Sequence, residues 1–137
     1  MENEKKNQKT EQKWEPYQKV KAIFGDVEGL KINDSKKGTF KFRLYLTESF
    51  ERTNIDALTL SVRSGNCLKR AGIHTIGELC SRIKCSSDLM KLRNCGEKSR
   101  YEIMEQLFLY QLSVMSPERA KLYIKETIEK NLKSDND

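Results

Sequence analysis

The chain has 137 residues, enough for one domain with appendages but not for two full domains. Hydrophobic residues make up 36% of the sequence and charged residues 34%, so we expect part of the chain to remain outside the core. The 26 basic and 20 acidic residues give a formal net charge of +6. This charge permits binding to nucleic acid but does not establish it.

Membrane insertion, export and metal binding find no support in the sequence. No apolar run reaches the ~20 residues of a membrane span, and the start MENEKKNQKTEQK lacks the apolar stretch of a signal peptide. The spacing of the four cysteines matches no zinc finger or ribbon, even with His74 as an extra ligand. We therefore expect a cytoplasmic protein without metal or cofactor and with four reduced thiols: Cys67, Cys80, Cys85 and Cys95.

The first 50 residues divide into two segments. Residues 1–15 are rich in Lys, Glu, Gln and Asn and are predicted to be a disordered tail. In residues 16–50, KVKAIFGDVEGLKI and TFKFRLYL alternate apolar and charged residues around the turn-rich NDSKKG. This pattern predicts a small β-hairpin or ribbon that needs a partner surface. The strand residues would be Val20, Ile23, Phe40, Phe42 and Leu44.

Residues 51–132 predict a compact, mainly α bundle of four or five short helices, followed by a charged tail over 133–137. Ser61 can cap the first helix, which runs to about Ala71, and Gly72 can close it. The motif TIGE is a capping box that opens the second helix. Three apolar or small residues share one face of the first helix: Val62, Gly65 and Leu68.

The later helices have equally clear boundaries. Ser86 or Ser87 can cap a single turn, and RNCG then leads into the longest helix, from about Glu97 to Tyr110. Ser116-Pro117-Glu118 starts a last amphipathic helix. Its predicted inner face is Ala120, Ile124, Ile128 and Asn131. Because these helices carry their own caps and apolar faces, we expect the segment from residue 51 onward to fold without the first 50 residues.

The stretch RNCGEKS has the features of a helix–hairpin–helix. Gly96 would let the backbone approach a phosphate with no Cβ in the way. The N–H groups at the following helix start form an anion site, to which Lys98 and Ser99 add a charge and a hydroxyl. An ordinary helix–helix turn explains the same spacing, and Arg63 with Asn66 can equally form a solvated helix face. Neither motif decides the function alone.

Together these motifs match one family. From Ile55 to Leu112 the sequence resembles the C-terminal domain of the bacterial RNA polymerase alpha subunit, in LTLSVRSGNCLKRAGIHTIGEL and LMKLRNCGEKSRYEI. In that family an arginine and an asparagine on the first helix enter or line the minor groove of A·T-rich DNA. The glycine, lysine and serine of the hairpin contact the flanking phosphates. The implied DNA-binding residues are Arg63, Asn66, Gly96, Lys98 and Ser99, with Lys91 and Lys69 as supporting contacts.

The sequence also departs from the family pattern. The polymerase subunit carries a large N-terminal assembly domain that 50 residues cannot form, so we expect a free-standing module. The acidic stretch that contacts the sigma factor in the family reads Asp56, Ala57 and Thr59 near the corresponding positions. Glu97 replaces a usual basic residue, and Arg100 a usual apolar one.

The leading hypothesis is a non-enzymatic DNA-binding module that acts in transcription near promoters and associates with the nucleoid. The resemblance implies A·T-rich double-stranded DNA as its partner, with RNA polymerase, sigma factor or transcription activators, and self-association, as further candidates. The alternative is a decoy of the domain that binds activators or RNA polymerase rather than DNA. We find no paired His and carboxylate in a plausible pocket, no P-loop and no credible metal cluster that would indicate an enzyme.

Overall fold

The computed structural model describes residues 15–30, 40–83 and 95–132. These ranges contain six α-helices and one 3-10 turn, and no strand. The mainly α class is therefore confirmed, and four of these α-helices begin within residues 51–132, where four or five were predicted. In chain order the elements are α1 (Gln18–Phe24), α2 (Glu48–Arg52), the 3-10 turn Ile55–Leu58, α3 (Val62–Arg70), α4 (Ile76–Arg82), α5 (Glu97–Ser113) and α6 (Pro117–Asn131).

Local capping signals place the helix starts where the sequence predicts them. The Ser61 hydroxyl caps α3, and Gly72 follows its end at a φ of 81°, in the left-handed region that favours glycine. Thr75 and Glu78 form the predicted capping box of α4. Ser116 caps α6, with proline at the first helical position. Some predicted segments lie outside the described residues: the two terminal tails before residue 15 and after residue 132, the turn NDSKKG, and the helical turn at Ser86 or Ser87.

The predicted β-hairpin is wrong for its first strand, because Val20 and Ile23 lie in α1. The buried residues there are Tyr17, Val20 and Phe24, whose spacing of three and four residues is helical. Ile23, which alternation would place in a strand, is 40% exposed. Short apolar runs of this kind fit both the periodicity of a helix and the alternation of a strand. Here the contact with the rest of the core selects the helix.

Residues 40–46 belong to no helix or strand, and side chains take the place of a partner strand. The Asn131 amide nitrogen donates to the Lys41 carbonyl at 2.8 Å, and its oxygen accepts from the Lys41 N–H at 2.9 Å. In the same way Gln111 donates to the Arg43 carbonyl at 2.9 Å and accepts from the Tyr45 N–H at 2.6 Å. The predicted strand residues of this segment pack on the core: Phe40, Phe42 and Leu44.

The core is organised around α5, in which Ile103 and Leu107 are fully buried, while Tyr110 is half-buried. The Phe108 ring of α5 packs against rings from the segments that precede α2 and from α6. Its centroid lies 5.2–5.9 Å from the centroids of four other rings: Phe24, Phe40, Phe42 and Tyr123. The segment before α2 thus shares one core with the helices that follow it.

Two helices bury a face that overlaps the predicted one only in part, since Leu68 of α3 and Asn131 of α6 are buried as members of the predicted faces. In α3, Val62 is 80% exposed, and the buried residues are Ser64, Cys67 and Leu68. In α6 the predicted Ala120, Ile124 and Ile128 are only half-buried. The fully buried residues of α6 are Tyr123, Thr127 and Asn131. The reason in α6 is that it covers residues 40–46, whose backbone groups require hydrogen-bonding partners.

Candidate nucleic-acid interface

Three of the predicted site residues line one open groove of about 480 Å³. Arg63 lies in the first turn of α3, and Lys98 and Ser99 lie in the first turn of α5. The side chains of Arg63 and Lys98 are exposed, whereas Ser99 is buried, with 4% of its surface exposed. The fold therefore brings two cations together from segments that are 35 residues apart in the sequence.

The other predicted residues lie beside this groove rather than in its lining. Asn66 is exposed one helical turn after Arg63, and Gly96 is the exposed N-cap of α5. Lys69 is exposed and forms an ion pair with Asp56 at 3.2 Å. Lys91 lies outside the described residues.

Gly96 has a conformation that the fold itself does not require to be glycine. Its φ of −76° and ψ of −179° are accessible to any residue, and a Cβ built there would meet nothing within 4 Å. No side chain of the N-cap satisfies the first N–H groups of α5. An open glycine at the start of a 17-residue helix suits a ligand that must come close to the backbone.

Glu102, which sequence reasoning missed, fixes the start of α3. One of its carboxylate oxygens accepts from the Ser61 N–H at 2.6 Å. The other accepts from the hydroxyls of Ser61 at 2.9 Å and Ser64 at 2.6 Å. This carboxylate lies at the positive end of the α3 dipole and thereby orients the turn that carries Arg63. No local pattern pairs Glu102 with Ser61 and Ser64, which lie 41 and 38 residues away in the sequence.

Arg100, a departure from the family pattern, contributes no charge to the groove. The residue is 4% exposed, and its guanidinium lies 4.7 Å from the centroid of the Tyr101 ring. A terminal nitrogen lies 3.9 Å from the carboxylate of Glu97, the other departure, one turn earlier on α5. The two changed residues form an i, i+3 pair with each other rather than two independent surface charges.

The thiols beside the site are buried and unsuited to metal binding. Cys67 follows Asn66, Cys95 precedes Gly96, and neither forms a disulfide. Burial, with a further contribution from Cys67, raises the pKa of the Cys95 thiol to about 12, so the thiolate form is strongly disfavoured at neutral pH. The described part of the molecule holds no group of three or more His, Cys, Asp or Glu residues arranged to bind a metal ion.

None of the helices in the described ranges is both long enough and apolar enough to span a bilayer.

Comparison with known proteins identifies the region that supplies Arg63 and Lys98 to the groove. Residues 46–108 match the family of the C-terminal domain of the bacterial RNA polymerase alpha chain. The protein is 52% identical over 64 residues to the DNA-directed RNA polymerase subunit alpha of Symbiobacterium thermophilum, covering 47% of this chain and 20% of that protein. It is 48% identical over 71 residues to the same subunit of Carboxydothermus hydrogenoformans, covering 52% and 22% of the two proteins.

A third relative, the alpha subunit of Clostridium botulinum, is 57% identical over 53 residues, or 39% of this chain and 16% of that protein. The chain thus spans about a fifth of the length of the curated relatives that it matches. Residues 15–30 and α6 lie outside the segment matched to the family.

Proposed function

We propose that this protein, whose residues 46–108 belong to the family of the bacterial RNA polymerase alpha C-terminal domain, is a non-enzymatic DNA-binding module that acts in transcription. The observation that carries the proposal is the groove shared by Arg63 and Lys98. A polyanion that follows this groove would meet charges from two separate helices. Binding to DNA would place the protein on the nucleoid in the bacterial cytoplasm.

In this proposal Arg63 reads the minor groove. A narrow A·T minor groove concentrates negative potential, and a guanidinium enters it with a smaller hydration cost than an ammonium. Asn66, exposed one turn further along α3, lines the same groove of the DNA. Only the difference between A·T and G·C pairs is readable there, so the preference is for composition and shape rather than for a defined sequence.

Lys98 and the first N–H groups of α5 bind the flanking phosphate, and Gly96 allows the close approach. Because Ser99 is only 4% exposed, we assign its contribution to the backbone N–H rather than to the hydroxyl. Lys69 supports the interface after exchanging its ion pair with Asp56 for a phosphate. Lys91 is the remaining supporting contact that the family resemblance implies.

A single module of this size binds weakly. One such module buries about 600–1,000 Å² of protein surface. With few phosphates neutralised, we expect a Kd near the non-specific range of roughly 10⁻⁴ to 10⁻⁶ M at physiological salt. Tethering to a second DNA-binding unit or self-association would raise the effective concentration.

Fluorescence anisotropy with A·T-tract and G·C duplexes tests the proposal. Arg63→Ala should abolish the A·T preference, whereas Lys98→Ala should weaken binding to both duplexes alike and lower the salt slope by ~1. Lys125→Ala is the matched control, because Lys125 is an exposed lysine on α6, away from the groove. Wild-type binding by both the Arg63 and Lys98 variants would mean that the groove does not bind DNA.

A second candidate function is binding to transcription proteins, namely RNA polymerase, sigma factor or an activator, in place of DNA. The observation that favours it is Val62, an apolar side chain that is 80% exposed directly before Arg63. Val62→Ser should then abolish binding to purified polymerase holoenzyme or activator, while neither the wild type nor the variant binds the two duplexes. If Val62→Ser binds these proteins as the wild type does, Val62 is not a contact residue and this second function loses the observation that favours it.

A further inference from the structure

We infer that α1 forms a second wall of the DNA-binding groove and that Lys19 contacts the phosphate backbone from it. This inference rests on the proposed function and extends it to a part of the molecule that the family does not include, since the family match begins at residue 46. Gln18 and Lys19 of α1 line the same groove as Arg63 and Lys98. The groove therefore has a basic residue on each of three helices.

The burial pattern of α1 directs Lys19 away from the core. Tyr17 and Val20 are 1% and 0% exposed, whereas Gln18 and Lys19 between them are exposed. The Tyr17 ring meets the Tyr101 ring edge to face, with centroids 5.2 Å apart. Because Tyr101 lies one turn after Lys98 on α5, this contact holds α1 next to the helix start that carries Lys98.

Glu105 of α5 also fixes the position of α1. Its carboxylate accepts a buried hydrogen bond of 2.9 Å from the Val20 N–H in the first turn of α1. The side chain of Tyr17, at the N-cap, makes no capping hydrogen bond, so Glu105 takes that role from another helix. Two contacts thus hold α1 against α5: the packing of the Tyr17 and Tyr101 rings, and the hydrogen bond from the α1 backbone to Glu105.

The acidic residues of the groove are engaged within the protein. They are Glu15, Glu102 and Glu105. Glu15 lies 3.8 Å from the ammonium of Lys21, and the other two accept the N–H and O–H groups described above. By contrast, Lys19 and Arg63 form no ion pair with any other described residue. Their charges are therefore available to an external anion, and the repeating phosphates of DNA can meet both.

The test measures the salt dependence of binding to the A·T-tract duplex for the full-length protein. If Lys19 neutralises one phosphate, Lys19→Ala should reduce the magnitude of the slope of log K against log salt by about 0.9. The A·T preference should be unchanged, because Lys19 is not assigned to base readout. Lys19→Arg, which keeps the charge, should retain the wild-type slope, and Lys125→Ala provides the control for loss of a distant lysine.

The outcomes separate this inference from the proposed function. A Lys19→Ala slope equal to that of Lys125→Ala, with Arg63→Ala and Lys98→Ala still impaired, would refute the role of α1 and leave the groove as the DNA site. Tighter binding by Lys19→Ala would show that α1 excludes DNA and would also refute it. If none of the groove variants changes binding, the proposed function itself fails. Unchanged circular dichroism of each variant is required in every case.

Discussion

Two glutamates one turn apart on α5 bind the starts of two different helices, one inside the family region and one outside it. Glu102 accepts from Ser61 and Ser64 at the start of α3, in contacts that are exposed or half-buried. Glu105 is 9% exposed and accepts from the Val20 N–H at the start of α1. The candidate site is held at the surface, whereas the N-terminal arm, residues 15–30 and 40–46, is held in the core.

This difference means that α1 and residues 40–46 cannot be regarded as a detachable appendage. Tyr17, Val20, Phe24 and Phe40 belong to the same buried cluster as α5. Removing the arm would uncover Phe108, which contacts two of these rings. That the segment from residue 51 onward folds without the first 50 residues stays a prediction, and this packing leads us to expect that its stability depends on the arm.

The largest expected effect comes from Phe108→Ala, because this ring joins the arm, α5 and α6. Truncation of a buried Phe costs about 3–5 kcal/mol of unfolding free energy. Denaturant unfolding of the full-length protein should show this loss in a single transition. Leu122→Ala is the control, since Leu122 is 69% exposed and should change the stability by less than about 0.5 kcal/mol. A loss below about 1 kcal/mol for Phe108→Ala would mean that the arm does not share this core.

The contrast between the two regions also explains what the sequence could predict. Ser61, Thr75 and Ser116 each act on residues within one helical turn, so the starts of three helices were predictable from local pattern. The family motifs likewise identified Arg63 and Lys98 before their shared groove was known.

The arm was not predictable in this way, because its partners are distant in the sequence. Asn131 lies 90 residues from Lys41, Gln111 lies 66 residues from Tyr45, and Glu105 lies 85 residues from Val20. Alternation in residues 40–46 predicted a strand, and it could not reveal that side-chain amides would replace the partner strand. The groove wall formed by α1 depends on the same long-range contacts.

Glu105→Ala should lower the unfolding free energy by less than Phe108→Ala. It leaves the buried Val20 N–H without an acceptor. An unsatisfied buried donor costs about 1–3 kcal/mol. The arm should then open before the rest of the molecule, which hydrogen exchange would detect as faster exchange in α1 than in α3. Glu105→Gln keeps an acceptor oxygen and should lose less. Equal exchange in the wild type and in Glu105→Ala would contradict the anchoring of α1 by this carboxylate.

Glu102→Ala should lower the unfolding free energy by less than Glu105→Ala, because the contacts of Glu102 are closer to solvent. Loss of a helix N-cap interaction is worth about 0.5–2 kcal/mol, and Ser61 still caps α3 with its own hydroxyl. Faster exchange should be confined to the first turn of α3, which carries Arg63. The comparison between the two glutamates would fail if Glu102→Ala destabilised the protein more than Glu105→Ala.

The last difference is expected in alkali, where the loss of stability should begin at a lower pH in the site region than in the arm. Burial raises the pKa of the Cys95 thiol to about 12, from 9.0 for an exposed thiol. The unfolded protein therefore releases this proton first, so its stabilising contribution is complete below pH 9 and is lost as the pH rises to 12. Burial also raises the pKa of Cys80, to about 11, so this second thiol acts in the same direction.

In the arm, burial raises the pKa of Tyr17 above its ordinary value of 10.0, so its contribution declines only from about pH 10 upward. Unfolding free energies at closely spaced pH values would separate the two onsets. Cys95→Ala should make the decline shallower from pH 9 to 12, most clearly between pH 9 and 10, where Cys80 is the other contributing thiol. The part of the decline above pH 10 that comes from Tyr17 should remain, because Tyr17 is unchanged. If stability declined equally between pH 9 and 10 in Cys95→Ala and in the wild type, the Cys95 thiol would not be protected in the folded state. The buried position of Cys95, directly before Gly96, would then be wrong.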